Sequence, residues 1–400
     1  MKKIYLSAVA LTAFSIATAA HAAGFQLNEY SATGMGRAFA GQGVVGDDYS
    51  ALGYNPAGMQ LNDKSGAHLV TSVISVKSEA RQIGGPATGH TETRITRVLP
   101  SFMAQYKLAD KTTLGFGIYT PFGLATNYKE GWYGAAGAML SSMDATNGSL
   151  GVSQQVTDWL TLGAALNVQR IEATLKTAAT RMHGDDWAAG YTLGATITPV
   201  KQARLGVAYR SKVSHELKGN ILSPFPGNVL NGDIKAKVTT PETLTFSGAY
   251  DVDDALTLSA TARYTRWSRF DRLTVMGLDA VHPVNGPVLQ DVNENWRNTW
   301  FYALGADYKV VKDLTLRVGT AYDQSVIRSP EFRTSRIPDG RRIWGSLGAS
   351  YAMGNWQFDA GYSHLWVKSG DALNESAPAQ TSRYHNAHAD MASIGVQYKF

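Results

Sequence analysis

The stretch Leu256-Thr-Leu-Ser-Ala-Thr-Ala-Arg-Tyr-Thr-Arg-Trp267 carries the pattern that decides the fold. Within it every second residue up to Tyr264 is apolar or small, and the residues between them are Thr, Ser and Arg. Successive side chains of a β-strand point to opposite faces, so this period of two indicates a strand with one apolar and one polar face. The same alternation runs through residues 160–168, 314–318 and 356–363. The sequence therefore predicts a protein built mainly from amphipathic strands.

Fourteen such strands can be placed along the chain, at 66–77, 94–107, 112–119, 144–156, 160–175, 187–199, 203–217, 236–251, 256–270, 297–310, 314–324, 339–353, 355–367 and 388–400. Short turns alternate with long polar connections, which are predicted at 78–93, 120–143, 176–186, 218–235, 271–296, 325–338 and 368–387. An even strand number and this alternation are typical of bacterial transmembrane β-barrels, whose short turns face the periplasm. The predicted fold class is an all-β, 14-stranded antiparallel transmembrane β-barrel in the bacterial outer membrane.

Both ends of the chain support export to that membrane. Lys2 and Lys3 precede an apolar stretch that closes on Ala20-His21-Ala22, an A-x-A cleavage pattern. Residues 1–22 are therefore predicted to be a signal peptide, because their many Ala, Ser and Thr residues suit a membrane-spanning helix poorly. The last strand ends in Phe400, and such a terminal aromatic strand resembles the signal that the barrel-assembly machinery recognises.

Composition excludes several other classes of function. Removal of both leader lysines leaves 35 basic and 32 acidic residues, a balance of +3 without any basic block, so no nucleic-acid partner is expected. Cysteine is absent, which removes thiol catalysis and thiolate metal sites. No metal-spaced cluster and no nucleophile motif occurs, so neither a metal, a cofactor nor a catalytic residue is predicted.

Residues 23–64 do not alternate and are predicted to form a plug inside the barrel of residues 65–400. The segment is rich in glycine, contains Asp47-Asp48 and Asn55-Pro56-Ala57-Gly58, and precedes the first strand on the short-turn side. A tail outside the lumen is the other reading of this segment. Its apolar residues favour packing over disorder; they are Phe25, Leu27, Tyr30, Met35, Phe39, Val44, Val45 and Met59.

With these residues in view, the chain resembles the FadL family of outer-membrane transporters of long-chain fatty acids and related hydrophobic compounds. The resemblance begins at Ala23-Gly-Phe-Gln-Leu-Asn-Glu-Tyr-Ser-Ala-Thr-Gly-Met-Gly-Arg-Ala-Phe-Ala-Gly41 and includes the Asn-Pro-Ala motif at Asn55, Pro56 and Ala57. It continues at Phe122-Gly-Leu-Ala-Thr126, Tyr209-Arg-Ser-Lys-Val213, Tyr264-Thr-Arg-Trp-Ser268 and Ile337-Pro-Asp-Gly-Arg341 with Trp344. The likeness therefore spans the mature chain.

The resemblance implies a path for the ligand. In the family, a groove among the extracellular loops captures ligand, an internal pocket closed by the hatch receives it, and an opening at a kinked third strand releases it sideways. Here that strand is residues 112–119, with Gly115 and Gly117 before Pro121. Glycine and proline weaken strand pairing, so a kink is physically reasonable. Glycine tolerated for packing is the alternative.

The ligand is expected to be a fatty acid, whose tail contributes about 0.8 kcal/mol per buried methylene. Candidates for the loop groove are Phe122, Leu124, Tyr128, Trp132, Tyr133, Met139 and Leu140, although aromatic residues near strand ends also form the interfacial girdle. For a carboxylate, Arg297 and Arg317 are candidates. They share the inward phase of their strands with Arg97, Arg263 and Arg342, where charge networks are also common.

Three alternatives stay open at this stage. Relatives that admit uncharged aromatic hydrocarbons would share the same fold and hatch. An open porin would need no plug, so bilayer conductance distinguishes it. A lipid-facing phospholipase would need paired Ser and His, but Ser363 and His364 are neighbours in a strand and face opposite sides. Expected partners are therefore hydrophobic small molecules, outer-membrane lipid and the assembly machinery.

Overall fold

The computed structural model describes residues 24–83, 89–223, 231–278, 286–373 and 381–400; the predicted signal peptide at 1–22 lies outside this range. The strands are β1 (Gly66–Gln82), β2 (His90–Ala109), β3 (Thr112–Asn127), β4 (Leu140–Gln155), β5 (Leu160–Lys176), β6 (Arg181–Val200), β7 (Ala203–Arg210), β8 (Val213–Leu222), β9 (Gly232–Thr240), β10 (Thr243–Asp251), β11 (Leu256–Thr265), β12 (Arg272–Gly277), β13 (Val288–Asn293), β14 (Thr299–Val311), β15 (Leu314–Asp323), β16 (Arg342–Met353), β17 (Trp356–Val367), β18 (Gly370–Ala372) and β19 (Ser382–Lys399).

These segments close into one antiparallel barrel of fourteen strands, as the sequence predicts. Four of these fourteen barrel strands are each interrupted once along their length and therefore consist of two of the strands named above. These pairs are β7 with β8, β9 with β10, β11 with β12, and β13 with β14. β18 is a short addition that pairs with β19. The barrel closes where β1 pairs along its length with β19, from Gly66 opposite Lys399 to Gln82 opposite Ser382.

The barrel wall is polar inside and apolar outside, and β11 shows why. Its residues Ser259, Thr261 and Arg263 are buried, whereas Leu258 is 46% exposed on the outer face. A barrel in lipid needs an apolar exterior, and its narrow lumen buries polar side chains against one another. The alternation in the quoted stretch is therefore confirmed, with its polar phase facing inward.

Several strands run further than the apolar alternation predicts. The expected loop at 176–186 is a turn, because β5 continues to Lys176 and β6 starts at Arg181. The two strands stay paired up to Lys176 opposite Arg181. Beyond the apolar belt a hairpin needs only backbone hydrogen bonds, so its side chains need not alternate. The long loops at that end are consequently shorter than predicted.

The N-terminal segment, residues 24–64, contains two short helices, α1 (Ala32–Gly36) and α2 (Ala51–Tyr54), and a 3-10 helix at Pro56–Leu61. Two further 3-10 helices lie elsewhere in the chain, at Trp267–Arg269 and Pro330–Phe332. Among the described residues, no helix has the length and apolar character needed to cross a bilayer. Most of the segment is buried. Of its eight apolar residues named above, all but Val45 are buried.

This segment contacts inward-facing residues on several parts of the wall. Ser72 of β1 donates a hydrogen bond to the carbonyl of Glu29 (2.7 Å), and Ser153 of β4 donates one to the carbonyl of Ala57 (3.0 Å). Asn55 Nδ2 donates to the carbonyl of Ala195 in β6 (3.1 Å). The segment therefore packs against widely separated strands, which supports the plug over the tail.

Four charged residues, three of them buried and Asp47 partly buried, fasten the segment to β14 and β15. Arg37 Nη1 lies 2.7 Å from Asp47 and 2.9 Å from Asp307 of β14. Arg317 of β15 reaches the same two carboxylates, at 3.0 Å and 2.9 Å. Two arginines and two aspartates balance in charge, so each charge is compensated although little water reaches it. We call Arg37, Asp47, Asp307 and Arg317 the anchor quartet.

Candidate functional site

One stretch of the barrel wall is incomplete in its strand pairing. β2 and β3 are paired from Ala109 opposite Thr112 only as far as Phe102 opposite Ile118. Beyond that pair, β2 remains paired with β1 and β3 with β4, but no ladder joins β2 to β3 among the described residues. Within this stretch the side chains of Ile95 and Ala125 pack against each other, and hydrogen bonding between the two strands resumes where Thr93 Oγ1 donates to the carbonyl of Asn127 (2.9 Å). We call this unpaired stretch of residues 93–101 and 119–127 the seam.

A distortion in β3 produces the seam. The register against β4 shifts between Tyr119 and Phe122, so Thr120 and Pro121 form a bulge. Proline lacks the N–H that a ladder requires, and a bulge bends and twists its strand. The strand nevertheless continues to Asn127, beyond the predicted end at Tyr119. A kink at Pro121 is therefore confirmed, and the strand is longer than predicted.

Gly115 and Gly117 do not weaken pairing, and the expectation that they do is wrong. Both are paired with β2 on one side and with β4 on the other. A Cβ on Gly115 would lie 2.3 Å from the sulfur of Met59, and one on Gly117 would lie 3.3 Å from Leu52. These glycines let the N-terminal segment approach the wall closely, which matches the packing alternative.

The start of the N-terminal segment occupies the free edge of β3 at the seam. Leu27 donates its N–H to the carbonyl of Pro121 (2.8 Å), and Gly123 donates its N–H to the carbonyl of Phe25 (2.7 Å). Gln26 and Phe122 form an isolated antiparallel bridge between these two bonds. Residues 25–27 thus take the place at the edge of β3 that β2 leaves empty, and we call them the clasp.

An apolar cavity lies on the lumen side next to the clasp. Phe25 forms part of its wall, and the remaining lining comes mainly from β4, β5, β6, β8, β9 and β12. Its aliphatic lining residues are Met143, Leu175, Met182, Leu217, Ile234, Val238, Leu273, Val275 and Ile337. Such a surface favours a flexible hydrocarbon.

A few polar groups also line the cavity. Glu294 is 1% exposed; its Oε2 accepts a hydrogen bond from Trp296 Nε1 (3.2 Å), and its Oε1 has no hydrogen-bond partner among the described residues. Burial raises the pKa of Glu294 to about 7, although the hydrogen bond from Trp296 and the positive charge of Arg336 each lower it. Arg336 donates to the carbonyl of Gly137 (2.6 Å) and to Ser141 Oγ (3.3 Å).

Aromatic rings hold the clasp beside the cavity. The ring of Phe25 lies 4.7 Å from that of Trp267, 5.4 Å from that of Phe270 and 5.6 Å from that of Trp296. Phe122 completes the cluster at 6.0 Å from Phe25. Phe122 therefore supports the cavity wall from behind and does not line the cavity. Phe25 belongs to both the cavity and the clasp, and so links the two.

Of the other predicted groove residues, Tyr128, Trp132 and Tyr133 belong to a separate cluster at the long-loop end. Trp132 stacks on Tyr128 at 4.1 Å and donates its Nε1 hydrogen to the carbonyl of Ala138 (2.7 Å). Met139 is buried and lies directly before Leu140, the first residue of β4. The backbone of Leu124 pairs with Met143, and its side chain lies outside the described part of the structure. Neither Tyr128, Trp132, Met139 nor Leu140 lines the described cavity.

Neither predicted arginine lines the cavity. Arg317 belongs to the anchor quartet. Arg297 precedes β14, which starts at Thr299, and it is exposed, with its Nε donating to the carbonyl of Ser325 (2.8 Å). Its predicted inward phase is therefore wrong, because Arg297 lies outside the ladder that would set that phase. Arg97, Arg263 and Arg342 are buried, as their phase predicts.

Sequence reasoning missed Glu294 and Arg336, the two charged side chains at the polar part of the cavity. Both lie in segments predicted as loops, where no alternation distinguishes an inward side chain. Arg336 directly precedes the Ile337-Pro-Asp-Gly-Arg341 motif, which was a usable signal. Asp339 of that motif accepts hydrogen bonds from Ser325 Oγ (2.7 Å) and from the Val326 N–H (3.0 Å). The motif therefore ties the loop that carries Arg336 in place.

A closed barrel with an apolar internal cavity and an incompletely paired wall defines the class of outer-membrane transporters for hydrophobic compounds. The chain belongs to the family described as outer membrane protein transport protein (OMPP1/FadL/TodX), whose sequence model matches residues 13–400. This membership also places the protein in the outer membrane and among transporters rather than enzymes.

Individual relatives cover nearly the whole chain. An outer membrane protein of Neisseria meningitidis serogroup B is 29% identical over 97% of each chain. The long-chain fatty acid transport protein of Escherichia coli K12 is 25% identical over 91% of this chain and 92% of its own. The crystal structure of a Pseudomonas aeruginosa FadL homologue superposes with a TM-score of 0.85 at 25% identity, covering 94% of this chain and all of the other. The Pseudomonas putida toluene transporter TodX shares the fold, with a TM-score of 0.73 at 16% identity, covering 93% of this chain and 98% of its own.

Proposed function

We propose that this protein is a passive uptake channel for long-chain fatty acids or similar hydrophobic compounds. The observation that carries the proposal is the position of Phe25, which lines the apolar cavity and belongs to the clasp at the seam. A hydrocarbon in the cavity is therefore separated from the wall by a short segment held by two backbone hydrogen bonds. Each such bond contributes only about 1 kcal/mol net, so displacement of the clasp depends mainly on the packing of Phe25 against its aromatic neighbours, which a hydrocarbon in the cavity can replace.

The path begins at the loops and ends sideways in the membrane. Loop residues near Trp132 and Met139 capture ligand, and the cavity takes its tail. Residues 23–64 act as the hatch that keeps the barrel of residues 65–400 closed to water. Displacement of the clasp then joins the cavity to the seam. A hydrophobic ligand gains little by entering the aqueous periplasm, whereas a lateral route returns it to an apolar phase.

Long-chain compounds suit the cavity better than small aromatic hydrocarbons. Its lining is mostly aliphatic, and aromatic rings form only a small part of it. Glu294 Oε1 is a buried polar atom without a partner among the described residues, and a hydrocarbon without a head group would leave it in that state. An aromatic hydrocarbon is the second candidate, because toluene transporters share this fold.

Uptake by cells tests the proposal. A bacterial strain without its own fatty-acid and toluene transporters, producing this protein, is given radiolabelled hexadecanoate or radiolabelled toluene. We expect hexadecanoate uptake to exceed that of empty-vector cells by tenfold or more and toluene uptake to change little. The reverse preference would establish the aromatic alternative, and equal uptake of a small hydrophilic sugar would indicate an open porin.

A further inference from the structure

One residue of the cavity lining carries a buried hydrogen-bond acceptor that has no partner among the described residues. Glu294 lies in an otherwise largely apolar pocket, and its Oε1 is buried without a hydrogen bond from any described residue. Its other carboxylate oxygen is already engaged by Trp296. A buried acceptor left unsatisfied costs about 1–3 kcal/mol, so a ligand that donates a hydrogen to Oε1 recovers this free energy.

The charges around Glu294 do not favour an anionic head group. The charged or titratable residues that line the cavity are Glu294, Arg336 and His183, and the ring of His183 faces Thr174 Oγ1 (3.0 Å). The guanidinium of Arg336 is hydrogen-bonded to Gly137 and Ser141. An ionised Glu294 offsets the charge of Arg336, so a ligand carboxylate would meet no net positive charge. It would also place a second anion near the first, in surroundings of low polarity.

Resting on the uptake function proposed above, we infer that this cavity selects long-chain compounds whose head group is uncharged and donates a hydrogen bond. Glu294 Oε1 is the acceptor. A primary fatty alcohol satisfies both conditions, and a fatty acid satisfies them in its protonated form. Ser141 also lines the cavity; its Oγ accepts a hydrogen bond from Arg336, so its own hydroxyl hydrogen can be donated to the oxygen of the head group. A plain alkane fills the apolar part and leaves Glu294 unsatisfied.

Three ligands of equal chain length separate the contribution of the head-group hydrogen bond from those of the head-group charge and the hydrocarbon tail. Radiolabelled hexadecanol, hexadecanoate and hexadecane are equilibrated with the purified full-length barrel in mild detergent at about pH 9, where both the acid and Glu294 are ionised. We expect the alcohol to bind about tenfold more tightly than the alkane, which corresponds to one hydrogen bond to a charged group. The carboxylate should bind more weakly than the alcohol by a similar factor.

Two variants of Glu294 assign the preference to this side chain. Glu294→Gln keeps an acceptor and removes the negative charge, so hexadecanol should bind within about twofold of wild type and hexadecanoate about tenfold more tightly. Glu294→Leu removes the acceptor, so the advantage of the alcohol over the alkane should vanish. The matched control is Leu273→Ala, which shortens the aliphatic lining and should weaken all three ligands by a similar factor.

The outcomes keep this inference separate from the proposed function. If the alkane, alcohol and acid bind equally well to wild type and to both variants, the inference about Glu294 is overturned and the uptake function stands. If none of the three ligands binds wild-type protein, the proposed function itself fails. Native heat-modifiable mobility on gels shows that each variant has folded, so loss of binding through misfolding is recognised directly.

Discussion

The backbone N–H of Gly123 donates a 2.7 Å hydrogen bond to the carbonyl of Phe25, and this bond joins the N-terminal segment to the free edge of β3. Its partner bond runs from Leu27 to Pro121. Together they cover the only long stretch of β3 that β2 leaves unpaired in the described structure. The proposed lateral exit therefore requires this contact to open.

A disulfide across the clasp should block transport reversibly. Gln26 and Phe122 lie directly opposite each other between the two hydrogen bonds, an arrangement that brings side chains close in antiparallel pairs. The native chain has no cysteine, so Gln26→Cys with Phe122→Cys adds one defined pair. We expect uptake of labelled hexadecanoate to fall at least tenfold under oxidising conditions and to return with a reductant. Each single cysteine variant is the control, and oxidised protein that transports at the reduced rate would contradict exit at this seam.

Crowding the Asn-Pro-Ala motif should open the lumen to ions. A Cβ on Gly163 of β5 would lie 2.2 Å from the backbone nitrogen of Ala57, so Gly163→Ala must displace the 3-10 helix that starts at Pro56. Gly148→Ala in the neighbouring strand β4 is the matched control, because no atom lies within 4 Å of its added methyl. We expect higher single-channel conductance in planar bilayers for the first variant only. Unchanged conductance in a folded Gly163→Ala protein would show that the segment does not close the pore.

Loss of one anchor charge should destabilise the protein far more than loss of an exposed one. Arg317→Gln leaves Asp47 and Asp307 sharing Arg37 alone in a buried site, which costs about 3–5 kcal/mol by the usual effect of breaking buried pairs. Arg272→Gln breaks the exposed pair with Asp291 and should cost about 1 kcal/mol or less. Urea unfolding in lipid vesicles measures both free energies. Equal losses would mean that the quartet does not anchor the segment.

Glu294 should make stability decrease as the pH rises. Burial raises its pKa to about 7 in the folded protein, so the folded state keeps a proton that the unfolded state releases above about pH 4.5. The stability from this group is therefore present below about pH 4.5 and is lost as the pH rises through about 7, by a few kcal/mol at most. Burial also raises the pKa of Glu29 to about 7, which adds the same trend in wild type and variant alike.

The comparison of wild type with Glu294→Gln isolates this contribution. We expect the free energy of unfolding of wild type, measured with urea at pH 5 and pH 8, to fall more over this range than that of the variant. Identical changes for the two proteins would show that Glu294 does not take up a proton on folding.

Much of the architecture follows from the sequence because local alternation reports which side chains face lipid. This period of two was enough to predict the inward and outward faces of β11 and the number of barrel strands. The burial of Arg97, Arg263 and Arg342 follows from their positions on the inward faces of their strands. The length of β5 and β6 does not follow, because hairpins beyond the apolar belt are held by backbone bonds that leave no pattern in the side chains.

The site depends on the tertiary structure for a different reason. The sequence by itself predicted a barrel with a glycine-rich, apolar N-terminal segment and a proline just after the third strand. Only the folded chain placed Phe25 beside Gly123, more than ninety residues away, and brought Glu294 and Arg336 to one cavity wall. Contacts between segments far apart in sequence arise when the barrel closes, and no local period encodes them. The role of Gly115 was ambiguous for the same reason, since only the packed structure shows Met59 against it.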